Sequence, residues 1–215
     1  MKEDCIYYGI CEDECPNTCI QYSEMKYLLK MSNIPQSQQC IHRLKPDECD
    51  VPAFEKLADI QNNIVDFTKN GGLLYIYSKI CGNGKTTWTI KMMLQYFNEI
   101  WRGNCLEPRG IFVNVPTFIN KSKAVISRPD EKFEELRSLI PKVDLLVLDD
   151  ITVAQLSNYD YSLLLSLVDE RIFNNKALIM TGNVFPKVLP EVLGDRLSSR
   201  ICHGICVELK GKDMR

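Results

Sequence analysis

"LLYIYSKICGNGKTTWTI" (residues 73–90) runs from an apolar segment through a glycine-containing turn into an amphipathic continuation. Its centre, Gly82-Asn83-Gly84-Lys85-Thr86-Thr87, matches the end of the phosphate-loop pattern G-x-x-x-x-G-K-[ST], except that Lys79 stands where the first glycine belongs. Such a loop turns consecutive backbone N–H groups and a helix N-terminus toward an anion. Gly82 and Gly84 permit the tight path. Lys85 is the charge expected to reach the β- and γ-phosphates and Thr86 the Mg²⁺ ligand, while Asn83 and Thr87 complete the cradle. The absent glycine only opens the turn, so Lys79 is tolerable if its φ is negative.

Outward from the loop, strands and helices alternate. Upstream, Phe54, Leu57, Ile60 or Gln61, Ile64 and Phe67 recur at helical spacing, in a helix capped by Asp50 and ended by Gly71-Gly72. Downstream, the pattern predicts a helix over 85–101, a strand over 110–115, and a mixed region 116–142 with a helix around "DEKFEELRSLI". A strand over 144–149, a helix over 159–174, a strand over 177–182, a helix over 187–200 and a strand over 203–208 follow. This order predicts an α/β fold, a parallel sheet covered by helices on both faces. Residues 24–32 read as a short helix and the proline-punctuated 33–52 as a linker. The expected division is therefore a cysteine-rich module and linker (1–50) and a nucleotide-binding domain (51–215).

Three further segments supply chemistry around the loop. "VDLLVLDD" ends an apolar strand in Asp149-Asp150, expected at the tip of a strand neighbouring the loop. Asp149 is positioned to hold Mg²⁺ through water, and Asp150 to polarise the attacking water, a task usually given to glutamate. "ALIMTGN" should lie beside that strand and bring a buried amide, Asn183, to the γ-phosphate. "LGDRLSSRI" spaces Arg196 and Arg200 by one helical turn. An arginine from a neighbouring subunit stabilises transition-state charge in phosphoryl transfer. Arg200 is the candidate, with Arg196 and Arg171 as alternatives.

Composition sets the remaining bounds. The chain of 215 residues has a net charge of −2, and its longest apolar runs fall short of a membrane span. The acidic N-terminus carries no apolar signal core, so a cytoplasmic location is expected. Residues 1–50 hold nine acids and five bases, whereas residues 51–215 hold nineteen and twenty-one, a weak footprint for DNA. Single-strand contacts are sought locally, at Lys121, Lys123, Arg128 and Lys142, with Phe118 as a stacking ring.

"CIYYGICEDECPNTC" sets Cys5, Cys11, Cys15 and Cys19 close enough to form a tetrahedral zinc site, with Cys40, His42 or Cys49 able to replace Cys5. Cys81, Cys105, Cys202 and Cys206 are expected to be small buried hydrophobes.

Taken together, "GNGKTTW", "VDLLVLDDI", "TGN" and "LGDRLSSRI", with "IFVNVPTF" between them and "GKDMR" near the end, resemble AAA+ ATPases. The narrower resemblance is to DnaC/DnaI-type helicase loaders of bacteria and their phages, over nearly the whole chain. It implies a P-loop AAA+ core without a C-terminal helical lid, an expectation reinforced by the chain's end soon after the last strand. It also implies a slow, partner-stimulated ATPase that places a DnaB-type hexameric helicase on single-stranded DNA during phage replication, self-associating through the ATPase domain. Lys79 and Asp150 depart from the pattern, and Asp150 puts the rate of hydrolysis in question. A transposition-helper ATPase of the insertion-sequence type, a small-metabolite P-loop kinase and a nucleotide-switched adaptor with negligible hydrolysis are the competing readings.

Overall fold

The computed structural model describes residues 5–7, 19–40, 43–152 and 156–213. Five strands, β1 (Leu73–Tyr77), β2 (Gly110–Asn114), β3 (Leu145–Asp149), β4 (Ala177–Gly182) and β5 (Ile205–Glu208), form one parallel sheet in the order β2-β3-β4-β1-β5. The central strands β3 and β4 are buried at every position, which explains their unbroken apolar sequence.

Alternate residues of each strand feed two cores. Leu74, Ile76, Val147 and Ile179 pack beneath α1 (Ile20–Met31), α2 (Val51–Asn62), α3 (Ile64–Lys69) and α4 (Lys85–Ile100). Tyr75, Leu146, Leu148 and Met180 face α5 (Val115–Ala124), α6 (Glu131–Leu139), α7 (Asn158–Phe173) and α8 (Leu189–Cys202). Phe54 of α2 meets Trp88 of α4 edge to face at 5.1 Å, so the helix upstream of the loop is seated on the helix the loop opens. A capping box of Ser157 and Asp160 starts α7, and Asp130 accepts two backbone N–H bonds at the start of α6. No helix among the described residues is long and apolar enough to cross a membrane.

Several expectations need correcting. The helix read from Asp50 to Gly71 is two helices, parted at Asn63, whose side-chain amide bonds back to the Asp59 carbonyl at 3.0 Å. Periodicity ran through the break because Ile60 and Ile64 still enter one core. Asp50 makes no side-chain cap bond there. Its buried carboxylate instead accepts the backbone N–H groups of Lys210 (2.6 Å) and Gly211 (2.8 Å), far away in sequence. Beside it, Asp47 accepts the N–H of Lys212. The mixed region contains α5 as well as α6, with Asn114 as cap and Pro116 in the first turn. Helix α8 is interrupted at Gly194 (φ 73°, ψ 158°), so the segment bearing the arginines is offset from the one before it.

The boundary at residue 50 does not separate two cores among the described residues. Met25, Leu28, Leu29 and Ile34 share a core with Trp88 and Phe112. The Ser32 carbonyl accepts from Phe112 N at 2.7 Å and Asn33 Nδ2 donates to the Phe112 carbonyl, so this segment covers the free edge of β2.

Cys81, Cys105 and Cys202 are exposed and Cys206 is half-buried. They occupy the phosphate loop, a turn, a helix end and the edge strand β5, where an apolar neighbourhood in sequence is not an interior position.

Candidate nucleotide-binding site

The loop after β1 has the backbone its glycines allow. Gly82 and Gly84 have φ of 75° and 94°, a region that costs a side chain energy. Gly84 is the N-cap of α4, and its carbonyl accepts from Trp88 N, the first helical bond. Lys79 is not among the residues of positive φ, and its ammonium lies 5.1 Å above the Phe185 ring. The position of the missing glycine is thus filled without strain.

Asn83 departs from its expected role. Its side chain is buried, donating to Ser78 Oγ (2.6 Å) and the Leu209 carbonyl (3.2 Å), and so ties the loop down instead of lining its mouth. Only its backbone N–H remains for the cradle. Ser78 Oγ also accepts from Ile80 N, making Ser78 the internal brace of the loop. Lys85 Nζ lies against the Ile80 carbonyl at 3.0 Å, across the loop it is expected to serve, and Thr87 is half-buried on the first turn of α4.

Thr86 Oγ1 donates to Asp149 Oδ1 at 2.8 Å. This bond forms although β3 is not the immediate neighbour of β1; β4 lies between them, correcting the expectation of adjacency. Thr181 of β4 donates to the same Oδ1, also at 2.8 Å. Burial pushes the Asp149 carboxyl above the usual range, the bonds donated by Thr181 and Thr86 oppose the rise, and the Asp150 charge adds to it. A hydroxyl that gives its proton to a carboxylate keeps its lone pairs for a cation. Thr86 and Asp149 are therefore an oxygen donor pair that fits Mg²⁺.

Asp150 has φ of 58°, uncommon for a residue with a side chain. Its N–H donates to Thr181 Oγ1 (2.8 Å), and its Oδ1 accepts from Asn183 Nδ2 at 3.3 Å. The acid and the amide are thus brought together as expected. Asn183 is exposed, however, and not the buried amide the strand pattern implied, because β4 ends at Gly182.

Arg200 Nε and Arg196 Nη2 share the carboxylate of Asp169, at 2.8 and 3.4 Å, on a half-exposed face of α7 and α8 beside Phe173, which is 89% exposed. Arg171 cannot present a finger. It is 1% exposed, and its Nη1 and Nη2 donate to the carbonyls of Ile140, Val143, Asp144 and Ala177.

Phe118 is likewise unavailable for stacking, being buried against Phe133 at 5.3 Å. Lys123 pairs with Asp160 at 2.8 Å, whereas Lys121, Arg128 and Lys142 are exposed.

Of the cysteines assigned to zinc, Cys11 and Cys15 lie outside the described residues, as does His42. Cys5 is half-buried, and Cys19 Sγ accepts from Tyr22 N as the cap of α1. Cys40 and Cys49 are exposed. Among the described residues no three His, Cys, Asp or Glu side chains are grouped to hold a metal.

Sequence reasoning missed Thr181, Ser78 and Asp169. A polar residue closing the apolar run "ALIMT" was the available signal for Thr181. Nothing local marks the other two.

The family model of the bacterial DnaA ATPase domain matches residues 57–208. None of the curated proteins compared matches the chain. Among solved structures, the DnaC helicase loader is similar at a TM-score of 0.62 and 20% identity, over 79% of this chain and 94% of that one. DnaI is similar at a TM-score of 0.66 and 19% identity, over 86% and 95%. The replication initiator DnaA bound to AMPPCP and single-stranded DNA is similar at a TM-score of 0.60 and 22% identity, over 76% and 47%. At these identities the likeness is one of fold, a parallel sheet flanked by helices with a glycine loop after its first strand.

Proposed function

We propose that this chain, which belongs to the bacterial DnaA ATPase-domain family, is an ATP-dependent loader of a replicative hexameric helicase onto single-stranded DNA. The observation that carries an ATP site is the hydrogen-bonded series Thr86–Asp149–Thr181–Asp150–Asn183 across the ends of the strands beside the glycine loop. The loader reading is supported by extent. The fold likeness takes in nearly all of the DnaC and DnaI chains but under half of the DnaA chain.

In this reading Gly82, Asn83, Gly84, Thr86 and Thr87 give backbone N–H groups to the phosphates, and Lys85 leaves the Ile80 carbonyl for the β- and γ-oxygens. Thr86 and Asp149 hold Mg²⁺, whose chemistry when bound is to neutralise charge on those oxygens. Asp150 takes a proton from the attacking water, which Asn183 helps to orient. Arg200, released from Asp169, reaches the site of a second copy. Asp150 is one methylene shorter than glutamate, which favours slow hydrolysis. Lys121, Arg128 and Lys142 are the DNA contacts retained, and the working place is the cytoplasm.

The test is single-turnover ATP loss, with and without a DnaB-type helicase and single-stranded DNA. Stimulation by the two together is expected in the wild type, weakening with salt as phosphate contacts require. It should be lost in Arg200→Ala, by roughly 10³-fold in rate at full effect, with ATP affinity retained. Binding of helicase without any ATP loss would favour a nucleotide-switched adaptor. Failure to bind helicase, with stimulation by a transposase instead, would favour the transposition-helper reading.

Zinc is proposed on the sequence alone, with Cys5, Cys11, Cys15 and Cys19 as ligands, in a segment that contacts the helicase. Purified protein should carry one equivalent of zinc, and its removal should abolish helicase binding while sparing nucleotide binding. Metal analysis giving well under half an equivalent would exclude a four-ligand site.

A further inference from the structure

We propose that Thr181 is a positioning residue of the nucleotide site, setting Asp149 and Asp150 in the relative geometry that the cation and the attacking water require. The inference rests on the ATP reading above, which uses the bonds of Thr181 as a sign of the site and gives the residue no task of its own. A threonine hydroxyl has one proton and two lone pairs. The Thr181 proton goes to Asp149 Oδ1 and a lone pair takes the Asp150 N–H, each at 2.8 Å, at a position 2% exposed. The Thr181 backbone carbonyl accepts the next N–H, that of Ile151, at 2.8 Å. One residue of β4 therefore grips two successive amides of the turn after β3 and the carboxylate before it.

Asp150 stands in the left-handed region, and this grip is what fixes it there. Thr86 and Thr181 donate to the same oxygen of Asp149, but only Thr86 is asked to ligate the cation. When Thr86 does so, Thr181 keeps the carboxylate aimed. Losing the Thr181 hydroxyl would release Asp149 on one side and leave the Asp150 N–H unpaired on the other. The backbone bond to Ile151 would survive.

The test compares Thr181→Val, which removes only the hydroxyl, with Thr181→Ser, which keeps it. Two quantities are measured: affinity for a fluorescent ATP analogue with Mg²⁺ and with EDTA, and single-turnover ATP loss at saturating ATP. Outer-shell partners of metal ligands typically contribute 10–100-fold to metal affinity or activity. Thr181→Val should therefore lose roughly tenfold of the Mg²⁺-dependent gain in affinity while binding in EDTA is unchanged. Its turnover should fall, and Thr181→Ser should restore both. A purely structural role would instead lower the melting temperature and leave the Mg²⁺-to-EDTA ratio at the wild-type value. That ratio unchanged in folded Thr181→Val, or Thr181→Ser impaired as much as the valine variant, overturns the proposal. Should the valine variant not fold, Thr181→Cys, whose thiol is a weak donor, takes its place on the same two scales. A wild-type protein whose nucleotide binding ignores Mg²⁺ would overturn the ATP reading itself, a result distinguishable from failure of Thr181 alone.

Discussion

Lys85→Ala should weaken ATP binding by about 2–3 kcal/mol, roughly 30- to 150-fold in Kd, because a charge-assisted bond to phosphate is lost while the backbone cradle remains. The fold should be nearly unaffected. Two bonds of Lys85, to the Ile80 carbonyl and Asn83 Oδ1, lie within the loop and near its surface. Removing them should cost no more than the ~0.5 kcal/mol typical of surface changes. Calorimetric titration with a non-hydrolysable analogue, alongside a thermal melt, separates the two effects. Unchanged affinity would mean that the loop does not bind a triphosphate.

Arg171→Met should destabilise the protein by about 3–4 kcal/mol, and this loss should be global. Four carbonyls, from the end of α6, the turn before β3 and the start of β4, converge on one guanidinium. Each is left without its partner when the charge is removed, in a core position from which water is excluded. Burial pulls the guanidinium down to about 10, leaving it charged at neutral pH, so these are charge-assisted bonds. For a domain of this size the melting temperature should fall by on the order of 10 °C. Arg171→Lys should recover only part of the loss, since one ammonium cannot reach carbonyls spread over a planar fork. Urea unfolding midpoints of the three proteins check this. A wild-type midpoint for Arg171→Met would refute a structural role.

Those two residues show what a sequence can and cannot convey. The shape of the loop before Lys85 was legible because its determinants are local: glycine freedom at Gly82 and Gly84 and a helix N-terminus are encoded within a few positions. The same holds for Asp149, since a continuous apolar run ending in acids marks a buried parallel strand and its exit. The sheet followed from alternation alone. Arg171 reads as a possible finger because arginine in an amphipathic helix is equally compatible with solvent and with a hidden carbonyl cluster. Only the order of strands decides which carbonyls meet it. Phe118 failed for the same reason, since a ring in a connecting segment reveals nothing about Phe133 until α5 and α6 pack. Asp50 looked like a cap by spacing, and its true partners, Lys210 and Gly211, are remote.

That clasp bears on how the protein can be dissected. Asn83 is moored to the carbonyl of Leu209, and the two amides that follow are held by Asp50, so the phosphate loop takes its footing from segments before the first strand and after the last. A fragment trimmed to Leu73–Glu208 would retain every strand and lose both moorings. The smallest unit able to hold a nucleotide firmly is accordingly larger than the sheet that displays it.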